Sequence, residues 1–375
     1  IAVLDILRGV AILGILFLNI NDMGRSFNAA LFDVRRLGWT AQDQVVWWLR
    51  EVLADGTARG MLEMLFGAGM MILTDRIATH ADELVVLRRY YARNLILLVF
   101  GLVHLFILLW PGDILHTYGV AALIAFLFRQ LPTPSLLWLG SSLALFVLLT
   151  GGLNYVADTS NAAALQQAHV RQQRHQPLTR ADKDAVAYDI AHRAARAATQ
   201  LDLTKRIVAE DTARSGTFQS WAAQQWAFIA WTQKQGMELF FIWESAATML
   251  IGAALFKLGV LQGARTRRWY AVMTGIAYGV AVPLRLLTAY EETRFDAAPQ
   301  IGAATEEFAR LAMTLGHVGL INLLVTSVLG ARLLHPFVAA GRTALSIYVA
   351  QTMICLWVLY PPFMFGLYGT MRWTG

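Results

Sequence analysis

Leu4-Asp5-Ile6-Leu7-Arg8-Gly9, followed by an apolar run that reaches Asn19, puts an acid and a base at the head of an otherwise uninterrupted hydrophobic stretch. Charges inside a membrane span are costly, so where they persist they mark function. Arg8 precedes Asn19 by eleven positions, roughly 16 Å along a helix axis, which predicts polar groups near opposite faces of the bilayer. That spacing suits a reaction with one substrate on each side.

The composition outside this stretch agrees with a membrane reading. Of 375 residues, 57% are hydrophobic and only 15% charged, and the mean hydropathy is +0.49. A soluble globular domain does not have these proportions. The single cysteine, Cys355, lies in an apolar run, which excludes an internal disulfide framework and any cysteine-based metal site. The basic balance does not point to nucleic acid, because the arginines cluster at the ends of apolar segments rather than in blocks interleaved with aromatics.

Nine segments are long and apolar enough to cross, each needing about 20 residues. They fall near 2–20, 57–76, 90–110, 113–130, 134–153, 237–258, 268–289, 307–331 and 342–360, and residues 361–375 read as the start of a hairpin leading to a tenth. The expected fold is an all-α polytopic bundle of nine to ten spans. Between the first two spans, Thr40 can cap a short amphipathic helix over 41–54 whose Val45, Trp48, Leu49 and Val52 share a face suited to the interface. The stretch 154–236 is polar and reads as an extracytoplasmic helical cap, with a capping box at Thr179 and Asp182. Trp221, Trp226 and Trp231 suggest that its last helix lies at headgroup level. This divides the chain into spans 1–5 (1–153), the cap (154–236) and the remaining spans (237–375).

Arg76, Arg88, Arg89, Arg93, Arg129, Lys257, Arg265, Arg267, Arg268, Arg332 and Arg342 all fall in the short connections of one side, which predicts that this side, and with it the N-terminus, is cytoplasmic.

Four motifs in order then carry a resemblance: Leu4 to Gly9 with Asn19; Arg59 to Gly69; Pro111-Gly112-Asp113-Ile114-Leu115 with Tyr118; and Gly341-Arg342-Thr343-Ala344-Leu345-Ser346 with Tyr348 and Gln351. Together they look like the YeiB-like proteins, which carry domain of unknown function 418. The likeness covers most of the membrane part and little of 154–236. This family is similar in turn to the heparan-glucosaminide acetyltransferases and to acyltransferase family 3. The resemblance implies an integral-membrane acyltransferase of the bacterial inner membrane. It would move an acyl group from cytoplasmic acyl-CoA, most simply acetyl-CoA, to an extracytoplasmic acceptor such as a sugar or glycan, with no metal. It departs from those relatives at one point. Acyltransferase family 3 has a histidine where this chain has Asn19, and the heparan-type enzymes place one in the following loop, whereas residues 20–56 contain none.

Another base is therefore needed. Asp113 and His116 stand three apart at the outer start of the fourth span, where a carboxylate can fix an imidazole tautomer and raise its basicity. His104, within the third span, competes for the role, and His317 is a weaker third candidate. His80, His169, His175, His192 and His335 read as loop, cap or span-end residues. Asn19 would hold the thioester carbonyl or the oxyanion. Arg8, Asp5, Arg93 and Arg342 face the cytoplasmic half, where forked guanidiniums suit the phosphates of the donor. Arg59 and Glu63, spaced i, i+4, are expected to neutralise each other, and Glu238 or Glu244 to meet Arg285 or Arg59 across the bundle. A small-molecule or lipid transporter, or a non-catalytic scaffold, remains as the alternative, and the oligomeric state is open, a homodimer included.

Single cysteines at Arg88 and at Arg267 should be labelled from the cytoplasm only, and one at Arg174 from outside only. Outside labelling at position 88 reverses the orientation.

Overall fold

The computed structural model describes residues 2–78, 82–296, 298–370 and 372–373, and among these there is no strand. The chain folds as an all-α bundle. α1 (Ala2–Gly24), α2 (Phe27–Phe32), α3 (Ala41–Leu49), α4 (Thr57–Ala78) and α5 (Glu83–Phe106) open it, followed by α6 (Leu115–Phe126), α7 (Thr133–Gly140) and α8 (Ser142–Gln173). α9 (Arg180–Arg214) and α10 (Phe218–Lys234) lead into α11 (Met237–Lys257), α12 (Arg267–Arg294) and α13 (Gly302–Val325). The short α14 (Val328–Leu334), α15 (Pro336–Arg342) and α16 (Ala344–Thr352) close the order. By length and composition, Ala2–Gly24, Thr133–Gln173, Met237–Lys257, Arg267–Arg294 and Gly302–Val325 can cross a membrane.

α4 is the central post. Glu63 and Met64 are fully buried, and Met61, Leu62, Leu65, Ala68, Met70 and Met71 are nearly so. A helix that is buried around most of its circumference needs no amphipathic stripe. In hydrocarbon, helices gain little hydrophobic drive towards one another, so close van der Waals contact through small residues takes its place. This chain places glycines where backbones touch. A methyl group on Gly67 would fall on the Met249 carbonyl of α11, and one on Gly252 on the Met64 carbonyl of α4. Gly9 meets the Phe337 carbonyl in the same way, and Gly341 the Asp5 carbonyl, so α1 and α15 join backbone to backbone.

Several expected boundaries move. The segment 113–130 is regular helix only over Leu115–Phe126, too short to span alone. The expected division at 153/154 falls inside α8, which continues unbroken to Gln173. The span expected at 342–360 is an elbow: α15 and the helix that follows meet at 81°, and Met353–Leu359 is wound as a π-helix. Residues 361–370, expected to begin a hairpin, form turns, with the Gly369 N–H donating to the Gly24 carbonyl (2.9 Å). Trp221 is not at an interface: it is 1% exposed and packs edge-on against Trp357, while Trp226 stacks outside on Phe106. α3 is headed by a Thr40–Asp43 capping box, but Val45 and Leu49 point outward while Val52 is buried, because the chain winds into a π-turn at Arg50–Ala54.

Gly341→Ala should lower stability in detergent by about 1–3 kcal/mol, the usual cost of an overpacked contact. Gly69→Ala, with open space around it, should be neutral. Equal melting temperatures for the two variants disprove the backbone junction.

Candidate active site

The connection between α5 and α6 is held from three directions. The Gln225 side-chain amide donates to the Leu109 carbonyl (3.0 Å), the Trp357 indole to the Leu108 carbonyl (2.7 Å), and the Tyr348 hydroxyl to the Gly112 carbonyl (3.4 Å). That same hydroxyl accepts from the Ile114 N–H (3.2 Å). Leu109 is fixed in the left-handed region at φ +56°, a conformation that an ordinary side chain adopts only when its surroundings impose it. Gly101 completes the arrangement, since a methyl group there would fall on the His116 backbone. Its absence lets α5 lie against the start of α6.

This brings four titratable side chains into one hydrogen-bonded row. Asp113, with its side chain fully buried, lies 2.6 Å from His104 Nδ1 through one carboxylate oxygen. Its other oxygen is 2.7 Å from His116 Nδ1 and accepts the His116 N–H (3.0 Å). His104 Nε2 is 2.9 Å from the Thr352 hydroxyl at the far side of the elbow. His116 Nε2 lies 3.0 Å from Glu238 at the head of α11, and Thr117 donates to the other Glu238 oxygen (2.9 Å). Hydrogen-bond capacity limits the protons. His104 bridges a carboxylate, which accepts, and the Thr352 hydroxyl, which can donate or accept. His116 faces a carboxylate at each nitrogen, so it donates from both as an imidazolium, or else the shared proton sits on a carboxyl. The row ends at a cavity of about 140 Å³ lined by Arg59, Gly112, Asp113, His116, Glu238 and Phe241, among others. Glu238, 21% exposed through its side chain, is its most accessible acid.

Beside the cavity lies a buried ionic network. Arg310 holds Glu307 (2.7 Å), Glu63 (3.1 Å) and Glu244 (3.0 Å), and Arg59 holds Glu244 (2.7 Å). Arg59 and Glu63 therefore do not neutralise each other: each reaches across the bundle, because α11 and α13 offer partners that are already desolvated. Arg285 meets neither Glu238 nor Glu244. It donates to the carbonyls of Glu51 (2.9 Å) and Asp55 (2.7 Å). Glu307 and Arg310 went unread in the sequence, although an i, i+3 charge pair at the start of an apolar run is a visible signal.

Other expected site residues lie elsewhere. Asn19 is half-buried on α1 and makes no side-chain hydrogen bond among the described residues, nor does it line the cavity. Arg8, Asp5 and Arg342 form a cluster at the opposite end of α1, with Arg8 3.1 Å and Arg342 3.8 Å from Asp5. Arg93, exposed on α5, is not part of it. His317 spends both ring nitrogens on the Tyr278 hydroxyl (2.7 Å) and the Leu53 carbonyl (2.8 Å), and His80 lies outside the described residues.

No solved structure matches the chain. It is 28% identical over 367 residues to "Uncharacterized protein YeiB" of Escherichia coli, covering 95% of this chain and 83% of that protein. It is 27% identical to "Uncharacterized protein YxaH" of Bacillus subtilis over 98% of this chain and 83% of the relative. Residues 255–375 match the family described as "Protein of unknown function (DUF418)". That match takes in the elbow with Tyr348 and Thr352, and with the two full-length alignments it shows a chain similar to the YeiB-like proteins, with a DUF418 match over its last third.

Proposed function

We propose that the protein is an acyltransferase of the bacterial inner membrane, with its N-terminus cytoplasmic, that moves an acyl group from acyl-CoA to an acceptor hydroxyl or amine outside. One observation carries this reading: a buried row from Thr352 through His104, Asp113 and His116 to Glu238 ends at a small polar cavity. Such a row can take a proton from a bound nucleophile and spread the charge over several groups. The acceptor's O–H or N–H gives its proton to Glu238, while His116 holds that carboxylate in place. The freed lone pair attacks the thioester carbonyl, the C–S bond breaks, and the CoA thiolate leaves. Charge on the carbonyl oxygen falls to Arg59, whose side chain is 28% exposed and reaches the cavity wall, rather than to Asn19. Arg8 and Arg342, at the far end of the bundle, remain the candidates for the donor's phosphates.

A second reading has its own support. Glu63, Glu244 and Glu307 outnumber Arg59 and Arg310 in the buried network by one charge, which suits a proton-coupled transporter.

Transfer from labelled acyl-CoA by the full-length protein in vesicles separates the two. Glu238→Gln and His116→Ala should each lower the rate about 10²- to 10⁴-fold, the usual effect of losing a positioned base. His104→Ala should cost less, because it acts through Asp113. Full activity in all three variants eliminates this site.

Acyl-CoA should raise the melting temperature of the purified protein, and Arg8→Ala or Arg342→Ala should shrink that rise, since a ligand of the folded state alone stabilises it. No shift with acyl-CoA, alongside stabilisation by a transported solute, favours the transporter.

A further inference from the structure

The hairpin of α8 and α9 has an unusual seam. Two long antiparallel helices normally close on apolar residues spaced by three and four. Here α8 presents Asn154, Tyr155, Asp158 and Asn161 on that stripe, and α9 presents Tyr188, Asp189 and His192. The seam is apolar and shut only towards the tip, where Ala168 and Ala185 are buried and Arg171 bridges to Asp182 (3.2 Å). Below the tip the helices part around a cleft of about 640 Å³, floored by the connection between α12 and α13. Burying such a stripe against itself would strand polar groups, so the cleft stays open, at a size typical of small-molecule sites.

Its chemistry is that of a cation site. The Tyr188 hydroxyl lies 3.4 Å from the Asp158 carboxylate, so a ligand touching Asp158 also reaches the Tyr188 ring. His192 lies tilted against that ring with centroids 4.5 Å apart. Two arginines also line the cleft, Arg193 and Arg196; Arg193 neutralises Asp189 (2.8 Å), whereas Asp158 is in no ion pair among the described residues and meets the Tyr188 hydroxyl instead. An unneutralised carboxylate beside aromatic faces attracts an ammonium group through charge and ring quadrupole together.

We infer that the α8–α9 cleft binds an organic ammonium group, held by Asp158 and by the faces of Tyr188 and Tyr155. This stands apart from the acyl-transfer reading. If transfer is also found, the cleft is where an amine-bearing acceptor is gathered.

The test uses the full chain in detergent, with choline as probe and 3,3-dimethylbutan-1-ol as its neutral isostere, read by isothermal titration. Choline should bind measurably and the isostere at least about tenfold more weakly. Asp158→Asn should weaken choline about tenfold and Tyr188→Leu about threefold, while Asp202→Asn, on the exposed face of α9, should change nothing. All these positions are exposed, so unchanged melting curves check the fold. Absence of choline binding, equal binding of the isostere, insensitivity to Asp158→Asn, or tighter binding of cellobiose than of choline each overturns the assignment. None of these results depends on turnover, so acyl transfer stands or falls separately.

Discussion

A carboxylate buried out of reach of water has to be met by donors, and Asp113 is where this chain satisfies that demand. Its side chain is fully enclosed, and an uncompensated charge there would cost several kcal/mol. Three donors answer it: a ring nitrogen each from His104 and His116, and the His116 N–H. Meeting them requires α5 and α6 to touch, which Gly101 permits. It also requires the elbow to bring Tyr348 and Thr352 inward, and α11 to bring Glu238 to the second ring nitrogen of His116. Much of the cap end is arranged around this one group.

The same logic explains the ionic network beside the cavity. Desolvated guanidiniums and carboxylates find partners on other helices because an isolated ion is worse than a constrained pair. Arg310 ties α13 to α4 and α11, and Arg59 adds a second tie between α4 and α11. Cross-bundle pairs give directional contact where helices otherwise meet through small residues. The glycine junctions set how closely the helices approach, and the ion pairs select which faces meet.

The helical class, the five spans over α1, α7–α8, α11, α12 and α13 and the Asp113–His116 contact were legible because hydropathy and close spacing are local signals, whereas α4 and α5, expected as spans, are not among the helices apolar enough to cross. The bend at Thr343 was not legible, since no proline stands there and the turn answers to packing on α1. The link from His104 to Asp113 depends on a loop conformation, with Leu109 in the left-handed region, that no local pattern announces. Arg59 and Glu63 misled because spacing gives proximity on one helix but not the competing partners on another. The family resemblance directed attention to Asn19, which stands away from the cavity, and to Arg342, which lies 3.8 Å from Asp5 at the other end of α1.

The unbroken course of α8 has a mechanical meaning. A helix without a hinge moves as a rod, and this one, 32 residues long, extends about 48 Å. Gly151 rests against Ala304 of α13, roughly 13 Å from one end and 33 Å from the other, and so serves as a fulcrum. At the short end the Trp243 indole donates to the Ser142 hydroxyl (3.0 Å), and the next residue along is Glu244. A sideways swing at the far tip would thus arrive beside the charged network reduced to about two-fifths of its size by the ratio of the arms, a large soft movement at one end becoming a small stiff one at the other.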